Sequence, residues 1–186
     1  MNPSYNIQIK ETQPGFISLT DAKKHLKIDF TYEDDIIQDL IPSSIQDAEN
    51  YMGLNILQKD VEATMQRFPT TLKIDFAPLL GAAFTVTYFD TDNQEQTLPA
   101  TAYSIKNSFG ENPCFVLNSN VELPGLKDRL DAVKFSYSCG MDLENIAKPI
   151  RRAVFLKISE LYEYRTDRAE IVSTRGNALL RPYKVW

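Results

Sequence analysis

The side chains that could do chemistry are few and poorly spaced for it. His25 is the one histidine in the chain, so a catalytic triad or a multi-histidine metal site would have to be built on it. It falls mid-helix between Lys24 and Lys27, off the stripe formed by Leu19 and Leu26, and reads as a solvated position. Cys114 and Cys139 each lack a C-x-x-C partner and read as buried free thiols. Asp29, Glu33, Asp34 and Asp35 could in principle gather a divalent cation. Adjacent helical residues point in different directions, however, and the same carboxylates suit the positive end of a helix dipole. Lys148, Arg151 and Arg152 flank a helix start where phosphate could bind, but solvated helix residues are the better reading. The 7 glycines are scattered, so there is no P-loop or dinucleotide fingerprint, and neither G-x-S-x-G nor H-E-x-x-H occurs. The expectation is a protein with no catalytic, cofactor-binding or metal-ligating residues, which works by assembling with other macromolecules.

Bulk properties agree with that direction. The chain has 186 residues, 43% hydrophobic and 24% charged, enough for one domain with a real core or a domain carrying a large insertion. No apolar run approaches the roughly 18 residues of a membrane span, and Met1–Asn6 has neither a basic nor an apolar signal-peptide region. The expected place is therefore the cytoplasm of the cell that makes it, with no membrane partner. Net charge is −5, unevenly spread. Residues 1–150 hold 12 Lys+Arg against 21 Asp+Glu, whereas residues 151–186 hold 8 against 4. An acidic body with a basic C-terminal segment suits contact between copies of one chain, or of the segment with its own body.

Periodicity supplies the elements that must carry such contacts. Ser18 opens a helix with Asp21 three residues on, close to a capping box, and Leu19, Ala22 and Leu26 give a stripe over about 18–28. Thr31 with Asp34 repeats the signal for a second helix, about 32–52. Pro42 should kink it, yet Ile37, Ile41, Ile45, Ala48 and Met52 hold helical phase through the proline, with Gly53 closing the end. Between about 61 and 139 the period becomes two: Leu72, Ile74 and Phe76; Phe84, Val86 and Tyr88; Val133, Phe135 and Tyr137. Asp90–Gln94 reads as the turn of a hairpin over 83–98, and 103–106 and 114–117 are further short strands. A third helix, about 149–165, starts with Pro149 in its first turn. Its apolar face is Ile150, Val154, Ile158 and Leu161, with Leu156 on the opposite side among Arg152, Glu160 and Glu163. Residues 1–16 and 166–186 lack a period and read as flexible arms. The expected fold class is α+β: a mainly helical core of three main helices with an inserted small antiparallel β-sheet or sandwich, in a single domain over 1–186.

The order of these elements resembles a known family. Ile17-Ser18-Leu19-Thr20-Asp21-Ala22-Lys23-Lys24-His25-Leu26-Lys27-Ile28 is similar to the "S-L-x-E-A-K-x-H-L-R-I" opening of tailed-phage head–tail connector, or head-completion adaptor, proteins. An acidic stretch and a helix ending at Ala48-Glu49-Asn50-Tyr51-Met52-Gly53 follow, as in that family. Tyr137-Ser138-Cys139-Gly140, Pro149-Ile150-Arg151-Arg152-Ala153 and Leu161-Tyr162-Glu163-Tyr164-Arg165 resemble its later "Y-x-x-G … x-P-x-x-I-x-x-A … L-Y-x-x-R" block. Leu180-Arg181-Pro182-Tyr183-Lys184 is similar to its closing "L-x-P-Y-R". Pro42 departs from the helix-favouring residue expected there. The resemblance implies a phage or prophage structural protein in the virion neck, assembled in the host cytoplasm. It implies a homo-oligomeric ring beneath the portal protein that meets the tail-side neck proteins and extends a channel through which DNA passes without specific binding.

Contacts in such an assembly are expected at Leu156 and at the oddly apolar C-terminus, where Arg181, Tyr183, Lys184 and the lone Trp186 could engage a neighbouring subunit or the portal. The tail folding back on its own helix is the alternative. A competing reading makes the β-region a small-molecule or glycan-binding module lined by Phe84, Tyr88, Phe89, Tyr103 and Phe109, and another makes the protein a hydrolase with an unrecognised carboxylate pair.

Overall fold

The computed structural model describes residues 6–11, 16–74, 76–106, 113–144, 146–164 and 174–185. Where the sequence suggests one domain with an insertion, the chain divides into two compact units. One comprises Met1–Gln13 with Gln58–Met141, the other Pro14–Leu57 with Asp142–Trp186.

Among its described residues, the first unit has strands and one short 3-10 turn. Its strands are β1 (Asn6–Glu11), β2 (Lys59–Met65), β3 (Thr71–Lys73), β4 (Leu79–Phe89), β5 (Glu95–Thr97), β6 (Tyr103–Lys106), β7 (Cys114–Leu117) and β8 (Val133–Cys139). Five form a sheet in the order β1-β2-β8-β4-β5, and three form a second sheet, β3-β7-β6. Every pairing is antiparallel. The alternation read from the sequence sets the faces: Val133, Phe135, Tyr137 and Cys139 of β8 point inward, opposite Met65, Ala63, Val61 and Lys59 of β2. Phe115 of β7 meets Phe135 edge-on with ring centroids 5.2 Å apart, which closes the core between the sheets. A register shift between Leu79 and Phe84 marks a bulge in β4.

One strand replaces an expected arm. Asn6–Glu11 pairs along its whole length with β2, Asn6 opposite Thr64 and Glu11 opposite Lys59. Backbone hydrogen bonding to an otherwise open sheet edge gives this segment an order that its short pattern alone would not maintain.

The second unit is helical: α1 (Leu19–Leu26), α2 (Asp34–Met52), α3 (Lys148–Glu163) and α4 (Thr174–Leu180), the last running into a 3-10 turn at Arg181–Tyr183. The Ser18 side chain accepts the Asp21 N–H at 3.1 Å, as its spacing predicted. Lys27, left-handed at φ 59°, ends the helix, and the Ile28 N–H returns to the Lys23 carbonyl at 3.0 Å. Thr31 is not the cap of α2: its carbonyl accepts the Asp34 N–H in a turn, and Glu33 takes the cap position. Helix α2 continues through Pro42, which lies on the exposed face, while Ile37, Ile41, Ile45, Ala48 and Met52 are buried on the other. After Gly53 (φ 71°) the chain turns back, and the buried Glu49 carboxylate accepts the Ile56 and Leu57 N–H groups at 2.7 and 3.0 Å.

The inward face of α3 differs from expectation at its last turns. Ile150, Val154 and Ile158 are buried, but Leu161 is 40% exposed and Lys157 only 2% exposed. Lysine can take such a position because its four-carbon stem is apolar and its ammonium finds partners beyond the core. The second correction is the tail. Residues 174–180 are helical, with Leu180 fully buried, so this part of the expected flexible arm is an integral element.

Candidate assembly surfaces

Four surface regions could serve binding. At the C-terminal end, the Val185 N–H donates to the Met52 carbonyl at 2.8 Å, satisfying one of the carbonyls that the end of α2 leaves open. A Cβ at Gly53 would meet Val185 Cβ at 3.5 Å, and the Lys184 ammonium lies 5.0 Å from the Tyr51 ring centroid. The described end of the chain therefore packs on its own α2. Of the residues expected to make intermolecular contacts, Arg181 is exposed, whereas Leu156, Tyr183 and Lys184 are half-buried. Trp186 lies outside the described residues. Reading the sequence missed the group that ties this end down: Lys157 donates to Asp47 of α2 and, at 2.9 Å, to Asn177 of α4. An isolated lysine in a helix gives no sign of such a role.

A second region lies along α1 and α3. Asp21 meets Arg151 at 3.1 Å, and four residues on along both helices His25 lies against Phe155, centroids 4.9 Å apart. His25 is thus not a plain solvated residue: burial first, and the nearby Arg152 charge second, hold its pKa below the ordinary histidine value. The Arg151 guanidinium is committed to Asp21 and lies 5.8 Å from the Phe155 ring centroid. Lys24, Lys148 and Arg152 remain exposed around this pair of helices.

The outer face of α2 is the opposite in sign. No Lys or Arg occurs between Lys27 and Lys59, against 7 carboxylates. Asp34 is tied to Lys23 at 2.5 Å, and Glu33 accepts the Tyr162 hydroxyl, while Asp35 and Asp39 are exposed. The acidic first turn is thereby spent on ion pairing and helix-end electrostatics.

The fourth region is in the β unit. The Asp90 carboxylate accepts the Asp92 and Gln94 N–H groups at 3.0 and 2.9 Å, and these bonds with Gln96 lower its pKa. Against this turn lies the loop before β8. Arg129 covers the Phe89 ring at 3.9 Å and binds Asp131 through two bonds of 2.6 Å, which in turn holds the Asp131 carboxyl below its ordinary value. The third Arg129 nitrogen donates to Asn93 at 3.3 Å, and the Lys127 N–H donates to the Phe89 carbonyl at 3.0 Å. Between the clamped Arg129 and Asp131, Leu130 is 68% exposed. Beside it on the same loop, Val121, Leu123 and Pro124 line an open groove of about 430 Å³ with Tyr88, Leu98 and Pro99.

The aromatic residues considered for a ligand site are mostly spent elsewhere. Phe84 and Tyr103 pack on the core, with the Tyr103 hydroxyl donating to the Phe84 carbonyl at 2.9 Å. Phe89 lies under Arg129, and Phe109 is outside the described residues.

Comparison with known proteins gives a match to one family model and likenesses to solved structures. Residues 16–97 match the family model for phage gp6-like head-tail connector proteins. No curated protein matches the sequence. Among solved structures, a chain in the neck of an empty gene transfer agent particle, computed with C6 symmetry, is 16% identical with a TM-score of 0.68. Chains in the virion of the native gene transfer agent particle and in its neck, computed with C12 symmetry, are 15% and 13% identical, each with a TM-score of 0.71. In all three, the match covers 96% of both chains.

Proposed function

We propose that this protein, a phage gp6-like head–tail connector by residues 16–97, is one subunit of a closed ring in the neck of a phage-like particle. The observation that carries the reading is the coincidence of that family match, which runs from α1 to β5, with a whole-chain likeness to neck proteins. Its work is structural: it holds the head to the tail by binding on both sides. The ring sits beneath the portal, presents its far side to tail-side neck proteins and lengthens the channel for DNA. Gene transfer agent necks, solved under six- and twelve-fold symmetry, support the closed rotational arrangement. The α2 face, with Asp35 and Asp39 exposed and no cation in its sequence, would repel DNA phosphates and let the duplex slide. Arg181 and Trp186 are left to contact the portal or a neighbour.

Mixing the chain with the portal protein of its own particle tests the reading. Negative-stain images should show closed rings on one face of the portal. No complex with that portal, at low or high salt, would overturn it.

A further inference from the structure

We propose that the subunits of this ring join head to tail, the loop tip carrying Leu130 in one copy docking on the α1–α3 face of the next. The inference rests on the connector reading and names the surfaces it requires. Leu130 is a large apolar side chain exposed to water between two residues that bind each other: Arg129 and Asp131 are paired, and Arg129 lies over Phe89. A loop already fixed loses little conformational freedom when it binds, so an exposed leucine on it is a ready anchor.

Charge selects the occupant. Asp92 and Asp128 are exposed on the turn and loop that form the tip, against one exposed cation, Lys127, so a basic surface with apolar ground between its charges suits Leu130 best. This chain carries such a surface itself. Lys24, Lys148 and Arg152 stand exposed around His25 and the half-buried Phe155. Tip and face are different patches of one chain, so the contact is heterologous, the kind that builds a ring where its rotation closes.

The experiment reverses each surface separately. One full-length variant carries Asp92→Lys with Asp128→Lys, the other Lys148→Glu with Arg152→Glu. Each alone should repel itself and fail to assemble on portal at concentrations where the unaltered chain does. Mixed together, every contact again pairs opposite charges, and sedimentation should show assembly restored. Leu130→Ser, at a site too exposed to matter for folding, should raise the concentration needed by about tenfold or more. A reversed variant that assembles alone, a mixture of folded variants that stays apart, or a neutral Leu130→Ser would overturn the inference and leave the connector reading standing. Failure of the unaltered chain to assemble on its portal would overturn both.

Discussion

The Lys157 ammonium donates to Asn177 across 2.9 Å while the residue is only 2% exposed, so one buried cation joins the third helix to the C-terminal one. Its other partner, Asp47, is itself 60% exposed, and therefore keeps most of its hydration. The two ends of the network should respond differently. Replacing Lys157 by Met keeps the volume and removes the buried charge, so it should cost little, within about 1 kcal/mol. Removing both acceptors, Asp47→Ala with Asn177→Ala, strands the charge and should cost about 3–5 kcal/mol. Urea denaturation of the two variants gives the comparison, and equal losses would mean that the network acts only through packing.

The tail supplies the second prediction. Leu180 is fully buried and Val185 closes the end of α2, so the C-terminal segment contributes to the stability of its own subunit. Leu180→Ala should destabilise by about 2–5 kcal/mol. Deleting residues 174–186 should lower the thermal midpoint of the free subunit clearly. A midpoint that stays put would return the segment to the role of an arm that folds only on a partner.

The third concerns pH. His25 has a folded-state pKa below its unfolded value because burial and Arg152 disfavour the imidazolium. As pH falls below the ordinary histidine value of 6.5, the unfolded chain takes up this proton before the folded one does. Stability contributed by neutral His25 is therefore complete above that pH and is lost progressively as pH drops toward the folded pKa. His25→Gln should flatten this part of the stability curve. Denaturation midpoints measured at pH 7.5 and at mildly acidic pH, for both chains, would show it; parallel slopes would count against the assignment.

How much of this could be read beforehand depends on whether the determining contact was local. Alternation in Val133–Cys139 gave β8 and its inward face without error, since a strand buried on one side writes its orientation into every second residue. Ile37 to Met52 gave a continuous α2 across Pro42 for the analogous reason. Strand β1 was not legible and read as an arm: Ile7 and Ile9 alternate with Asn6, Gln8 and Lys10, but so short a pattern has meaning only once the β2 edge pairs with it. Helix α4 was not legible: Gly176 and Asn177 stand in its middle, and its order comes from Leu180 packing and from Lys157. The same contact explains the exchange of Leu161 for Lys157 on the inner face of α3, since the lysine's partners are 110 and 20 residues away in sequence. The Leu130 tip depends likewise on Phe89, Asn93 and Arg129 coming together in space.

Pro42 leads to the last prediction. Nine positions into α2, it has no N–H to donate and its ring crowds the preceding turn, a combination that costs about 3 kcal/mol in a helix interior. Helix α2 tolerates this because Ile37, Ile41, Ile45 and Ala48 are buried on the face opposite the proline, and losing their burial would cost more than the missing hydrogen bond. On the exposed side, the Ser43 hydroxyl donates to the Asp39 carbonyl at 3.0 Å, tightening the turn that the proline disturbs. Since the side chain at 42 contributes nothing to the buried face, Pro42→Ala should restore the backbone hydrogen bond without creating a cavity. The expected gain is about 1–3 kcal/mol, read as a higher urea midpoint with an unchanged slope. Unchanged or lower stability would show that the backbone geometry Pro42 imposes is itself needed to seat α2 against α3. In that case, the same variant should also assemble poorly on the portal.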